Sequence, residues 1–207
     1  MESVLDVYKM PYNEEYPVVC MDESPKQLIK QTRIPIEAKP GSYAKEDFEY
    51  ERNGLVQIFM ANEPLKGKRF VKVSQTKTKK SWAYFIKELS GRYPQARKIR
   101  LIMDNLNTHT PGALYETFSP DEAKRLWDRF EFIYTPKHGS WLNMAEIELH
   151  VLMGQCLNRR IENIPIIKEE IETWQEARNN KKATINWQFK TTDARIKLKR
   201  LYPTLSN

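Results

Sequence analysis

Val18-Val19-Cys20-Met21-Asp22-Glu23 and Ile99-Arg100-Leu101-Ile102-Met103-Asp104-Asn105 are the stretches whose reading decides the fold of this chain. Each is a short apolar run halted by an aspartate. Runs of this length between polar residues suit strands buried on both faces. In an open α/β sheet, ligands gather beyond the carboxyl ends of the strands. Two such strands side by side would set Asp22 and Asp104 together at one lip of the sheet. Paired carboxylates on a rigid edge are what a divalent-metal site needs.

Working outward, residues 1–17 show weak periodicity and the turn formers Pro11, Asn13 and Pro17, so they read as a lead-in to a domain covering 18–207. Ser24 to Tyr43, broken by Pro25, Pro35, Pro40 and Gly41, reads as an extended loop. Glu49 to Ala61 reads as a long strand or strand pair with Gly54 at a turn or bulge, and Phe70–Ser74 as a half-exposed strand. Ser81 is the expected N-cap of a helix carrying Trp82, Phe85, Ile86 and Leu89 and stopped by Gly91. Thr110-Pro111 and Ser119-Pro120 are cap-then-proline helix starts, the second running to about Arg129. Phe130–Tyr134 alternates as a strand, and Pro136–Ser140 is a turn. Long helices are expected from Trp141 to Arg160 and from Ile166 to Asn179. Strands first, then strands alternating with helices, argue for a mixed sheet covered by helices.

Composition limits the class. The 207 residues fit one domain, and 40% hydrophobic content with five Trp and eight Phe can fill a core. No apolar stretch approaches the ~20 residues needed to span a bilayer. The first residues, Met1-Glu2-Ser3-Val4-Leu5-Asp6, carry acids where a signal peptide would be basic. Cys20 and Cys156 read as free thiols, which with the rest makes a cytoplasmic location the expectation.

The net charge of +7 is unevenly spread. Lys66, Lys68, Arg69, Lys72, Lys77, Lys79 and Lys80 fall in a stretch without an acid. A second stretch holds Lys181, Lys182, Lys190, Arg195, Lys197, Lys199 and Arg200 around Asp193, interleaved with Trp187 and Phe189 and followed by Tyr202. Cations with aromatics suit a polyanion, because phosphate neutralisation releases counterions and rings offer stacking surfaces. These lysines and arginines are the candidate nucleic-acid contacts.

A third carboxylate completes the constellation. After the Pro136–Ser140 turn, Ala145, Leu149, Leu152 and Cys156 share one helical face, and Glu146 lies about 100° round from Ala145 at its border. Glu148 points elsewhere. Taken by spacing alone, Asp22, Asp104 and Glu146 read equally well as a metal site or as polar strand terminators and a solvated helix acid.

The wording of the chain goes further. Val18-Val19-Cys20-Met21-Asp22-Glu23-Ser24, Tyr50-Glu51-Arg52-Asn53-Gly54, Met103-Asp104-Asn105-Leu106-Asn107-Thr108-His109-Thr110-Pro111, Tyr134-Thr135-Pro136-Lys137-His138-Gly139-Ser140-Trp141-Leu142-Asn143-Met144-Ala145-Glu146 and Asp193-Ala194-Arg195-Ile196-Lys197-Leu198-Lys199-Arg200-Leu201-Tyr202-Pro203 follow one another in order. Together they closely resemble the catalytic domain of bacterial insertion-sequence transposases of the mariner-related superfamily, in particular the insertion-sequence 630 branch.

The resemblance implies a ribonuclease-H-like α/β fold, a mixed five-stranded sheet flanked by helices, with an aspartate–aspartate–glutamate triad: Asp22, Asp104 and Glu146. It implies two Mg²⁺ ions, with Mn²⁺ able to substitute, and cutting of double-stranded element ends followed by strand transfer into target DNA at a TA dinucleotide. The partners are DNA and a second copy of the chain. Mg²⁺ prefers oxygen ligands, and a pair of ions roughly 3.5–4 Å apart can serve both attacking and leaving oxygens. Asp22, at the end of the central strand, is the expected bridge between them. His109, His138, Asn105 and Glu148 are candidates to support the ligands, and Asn105 is expected to hydrogen-bond across its loop.

Two departures qualify the resemblance. Such transposases carry an amino-terminal helix-turn-helix region, absent from this chain, as from a truncated chain, a split reading frame or a decayed copy. His150 stands where the branch favours a small polar residue, and is expected to be partly buried against a neighbour. A ribonuclease-H-like nuclease and an idle DNA-binding remnant are the competing functions.

Overall fold

The computed structural model describes residues 1–202, so Pro203, the last residue of the carboxy-terminal motif, lies outside the described residues. Five strands, β1 (Val18–Gln31), β2 (Tyr50–Glu63), β3 (Lys68–Ser74), β4 (Ile99–Met103) and β5 (Phe130–Tyr134), form one sheet in the order β3-β2-β1-β4-β5. The β1–β2 and β2–β3 pairs are antiparallel, and β1–β4 and β4–β5 are parallel. This is the mixed sheet the sequence implies, with the first aspartate on its middle strand.

Helices cover both faces. Side chains alternate across a strand, and each strand splits its apolar residues accordingly. Cys20, Val56, Ile58, Met60, Val71, Val73 and Ile102 face α1 (Glu2–Tyr8), α5 (Met144–Leu152), α6 (Ile164–Asn180) and α7 (Thr191–Lys197). Val19, Met21, Phe59, Phe70, Ile99, Leu101 and Met103 face α2 (Lys79–Gly91), α3 (Pro111–Tyr115) and α4 (Pro120–Arg129). Burial on both sides explains why the two opening runs are continuously apolar.

Several local expectations are corrected. Residues 2–8 are a helix rather than a lead-in: Val4 and Leu5 are buried and the Tyr8 hydroxyl donates to the Leu142 carbonyl at 2.7 Å. Two turns are too short to declare themselves by periodicity. β1 does not end at Asp22 but runs through Pro25 to Gln31. Its pairing with β4 stops at Cys20↔Ile102, so beyond that point one edge of β1 has no partner strand, where proline is tolerated. Across from Leu28 the register slips, and Gly54, at φ +98°, forms the expected bulge. β3 is not half-exposed, since Phe70, Val71 and Val73 are buried. The N-cap of α2 is Thr78, whose hydroxyl accepts from the Ser81 amide.

Residues 32–49, between β1 and β2, leave the sheet as an arm with bridges Ile36↔Lys45 and Lys39↔Ser42. It carries Ile34, Tyr43 and Phe48 at 92%, 91% and 85% exposure.

The long helix expected from Trp141 is also divided. Ser140–Leu142 make a 3₁₀ turn, α5 follows, and Met153–Leu157 widen into a π-helical turn around Gly154. Asn143 causes the break. Its carboxamide oxygen caps the Ala145 amide at 3.1 Å while its nitrogen donates to the Met21 carbonyl at 2.7 Å.

Candidate active site

The strand register assembles the first two acids. Val18, Val19 and Cys20 pair with Arg100, Leu101 and Ile102 in parallel. Two residues past the last of these pairs come Asp22, still within β1, and Asp104, just beyond the end of β4. Cys20 faces α5, so the period of two turns Asp22 to that face as well, whereas the Asp104 carboxylate, past the end of β4, meets His109. Asn143 pins the start of α5 to Met21, immediately before Asp22, and places Glu146 in the first turn of that helix.

Asp104 and Glu146 register in the electrostatics of Asp22. Asp22 is pushed up to about 7, chiefly by burial and then by the neighbouring Asp104, Glu146 and Glu23 carboxylates, against a hydrogen bond from the Glu23 amide. Among the described residues, no three His, Cys, Asp or Glu side chains stand close enough to hold a metal ion as placed. The donor set nevertheless fits a hard divalent cation: every candidate atom is a carboxylate oxygen. Asp104 Oδ1 is buried without a well-aligned hydrogen bond, and Asp22 is crowded by like charge that a cation would relieve.

Behind Asp104 lies His109, 1% exposed, with Nδ1 2.8 Å from Asp104 Oδ1 and Nε2 3.0 Å from Glu23 Oε2. The first contact is at ion-pair distance but off the line of a hydrogen bond, since Nδ1 also lies 3.3 Å from the Asp104 carbonyl oxygen. Burial favours a neutral ring, but the Asp104 and Glu23 carboxylates prevail and lift His109 to about 9. Lys77 closes the row, 2.8 Å from Glu23 Oε1.

The other supporting candidates lie elsewhere. His138 is exposed, in the left-handed conformation at φ 61°, and serves its turn. Asn105 is exposed rather than tied across its loop, and His150 is exposed rather than packed. Glu148 is fully buried away from the triad: its carboxylate takes Arg69 Nε at 2.7 Å, Arg69 Nη2 at 2.8 Å and Arg178 at 2.9 and 3.0 Å. Burial pushes Glu148 up, but these hydrogen bonds win and hold it below the usual carboxylate value. Arg69, 1% exposed, is therefore an internal ion-pair partner and not a surface contact.

The first basic stretch is split. Lys77, Lys79 and Lys80 sit at the Asp104 end of β3, around the start of α2, whereas Lys66 and Lys68 line a cleft of about 810 Å³ with Arg92 and Lys182 at its other end. Lys72 is paired with Glu88. In the second stretch Arg195 holds Glu2 through two 2.8 Å bonds, stitching α7 to α1, while Lys197, Lys199 and Arg200 remain exposed.

Sheet order, helical layers and the placement of acids beside β1 and β4 define a ribonuclease-H-like domain. The chain belongs to the DDE superfamily endonucleases, whose family model matches residues 17–168. Among solved structures it is similar to the Mos1 mariner paired-end complex with Mn, with a TM-score of 0.58 and 18% identity over 88% of this chain and 54% of that one. The Mos1 strand transfer complex gives 0.59 and 17% over 88% and 54%. The paired-end complex with Mg gives 0.59 and 18% over 88% and 56%. At these identities the likeness is one of fold, and the chain spans about half the length of these structures. A comparison with curated proteins finds no match.

Proposed function

We propose that this chain is the catalytic part of a DNA transposase of the insertion-sequence 630 branch, hydrolysing phosphodiester bonds at element ends and transferring the freed strand to target DNA. The observation that carries the reading is the parallel β1–β4 pairing that ends two residues before Asp22 and Asp104, beside the Asn143-pinned helix of Glu146. Asp22, Asp104 and Glu146 would hold two Mg²⁺ or Mn²⁺ ions. When bound, such a pair lowers the pKa of an attacking oxygen and stabilises the leaving one. The sheet fixes the Asp22 carboxylate and the capped helix start fixes that of Glu146. Support for metal use comes from the donor set, which is carboxylate oxygen throughout, as a hard divalent cation prefers.

Duplex DNA is the proposed substrate. Lys77, Lys79 and Lys80 would grip the backbone nearest the acids, and Lys66, Lys68, Lys197, Lys199 and Arg200 would extend the grip. Such contacts position DNA without reading sequence. DNA affinity, measured by fluorescence anisotropy, should therefore fall steeply with salt. Losses on the order of 10³-fold between 50 and 200 mM are expected for about six phosphate contacts, and a flat response would contradict the assignment. The reading as a whole is tested by incubating the protein with supercoiled plasmid: nicking in Mg²⁺ that EDTA abolishes is expected, and an untouched plasmid would oppose it.

We also propose action as a homodimer on DNA. The arm supports this, because Ile34, Tyr43 and Phe48 on one excursion from the sheet are left almost wholly exposed. Tyr43→Ser with Phe48→Ser should shift the DNA-bound species from two copies to one in analytical ultracentrifugation, and an unchanged mass would place the dimer contact elsewhere.

A further inference from the structure

Asp104 is the one member of the triad that follows its strand instead of lying within a strand or a helix. Something other than the sheet must fix its carboxylate. The buried neighbours that do so come from separate parts of the chain: Glu23 from β1, on the sheet face opposite Asp22, and His109 from the loop before α3. Their side chains are 2% and 1% exposed. His109 is stacked on the buried Trp82 at a centroid distance of 5.4 Å, so the ring cannot swing without displacing core packing. With carboxylates at 2.8 and 3.0 Å from its two nitrogens, the imidazole meets each through a different edge. Lys77 then sits on the far oxygen of Glu23.

The row Asp104–His109–Glu23–Lys77 alternates acid and base. It leads from the proposed metal ligand, through the interior, to an exposed lysine of the basic stretch. Each carboxylate has a nitrogen of a basic side chain beside it, which offsets part of the cost of its burial. Because Asp104 Oδ1 is enclosed, the 30% exposure of that side chain lies on its other atoms.

We propose that Glu23 and His109 are positioning residues: they hold the Asp104 carboxylate at a fixed angle toward the cation that it shares with Asp22 and Glu146. The inference rests on the metal-binding reading and adds two residues to it. Partners of metal ligands typically change metal affinity about 10–100-fold when removed. His109 touches the ligand and should have the larger effect, Glu23 a smaller one through the ring, and Lys77 the least.

The test is Mn²⁺ binding to the DNA-free protein, followed by the electron paramagnetic resonance signal of unbound Mn²⁺, with melting in EDTA recorded for each variant. His109→Ala should weaken Mn²⁺ binding by about 10–100-fold. His109→Asn, whose amide nitrogen takes the place of Nδ1, should recover most of it. His109→Gln, nearer the ring in volume but placing its amide toward Glu23, should not. Glu23→Gln should weaken binding while melting near the wild-type temperature. Packing alone would reverse the order of the two amide variants or leave Mn²⁺ affinity unchanged in every folded variant, and either result overturns the proposal. If His109→Ala does not fold, the Asn against Gln comparison and Glu23→Gln decide the matter. A wild-type protein that takes up no Mn²⁺ would defeat the metal reading itself, a failure distinct from one confined to the variants.

Discussion

Asp22→Ala or Asp104→Asn is expected to lower Mg²⁺-dependent nicking by on the order of 10³-fold or more while DNA remains bound. The two effects separate because the groups do. Asp22 and Asp104 each follow the last β1–β4 pair by two residues, with Asp22 in the field of Asp104 and Glu146. Retention of the duplex is assigned to cations at the ends of β3 and beyond α7. Removing an acid beside a phosphate relieves repulsion, so binding should hold or tighten. Nicking by plasmid assay and binding by anisotropy, measured on the same preparations, check this. Normal nicking by either variant would refute the assigned role, and loss of both activities together would point to unfolding.

The largest effect on stability is expected at Glu148. Its carboxylate takes four hydrogen bonds from Arg69 and Arg178, tying α5 to β3 and α6. Glu148→Ala strands a guanidinium in the interior, a change that costs about 3–5 kcal/mol. For a chain of this size that corresponds to a fall in melting temperature of roughly 10 °C. Replacing all three partners by apolar residues of similar volume should recover much of the loss, since desolvation of the ions then disappears with them. The pH dependence has a definite sign. Glu148 is held below its usual value, so its contribution is present above the unfolded pKa and disappears as pH falls through the folded one. Differential scanning fluorimetry across acid pH, wild type against Glu148→Ala, checks both: the gap should narrow on acidification. A melting temperature unchanged by Glu148→Ala would contradict the account.

Some parts of this structure were legible because one local rule governed them. The runs ending at Asp22 and Asp104 are covered on both faces, and that alone makes them continuously apolar. Thr110-Pro111 and Ser119-Pro120 mark α3 and α4 at the expected residues. Where two influences compete, the sequence misleads. Pro25 reads as a loop signal, yet it lies in β1 because the partner strand β4 has already ended. Glu148 reads as a candidate to support the metal ligands, yet two arginines from distant segments hold it buried elsewhere, and neither pairing is visible along the chain. Arg69 is the counterpart error, a cation counted with its exposed neighbours although it points into the core.

The site divides in the same way. Asp22 and Asp104 were legible as the acids that halt two apolar runs, and Glu146 as an acid bordering a helical face after a turn, whereas the Asn143 cap that sets the start of that helix was not. His109 was readable as a neighbour of Asp104 in sequence. Glu23 was not, because its role depends on the alternate face of β1 meeting a loop from residue 109.

The central claim is that Asp22, Asp104 and Glu146 share one cation site. Crystals soaked in Mn²⁺ and measured for anomalous scattering test it most directly. The account predicts a Mn²⁺ peak in contact with carboxylate oxygens of all three residues. A soaked crystal with Mn²⁺ bound elsewhere, and none of it among these three side chains, would contradict it.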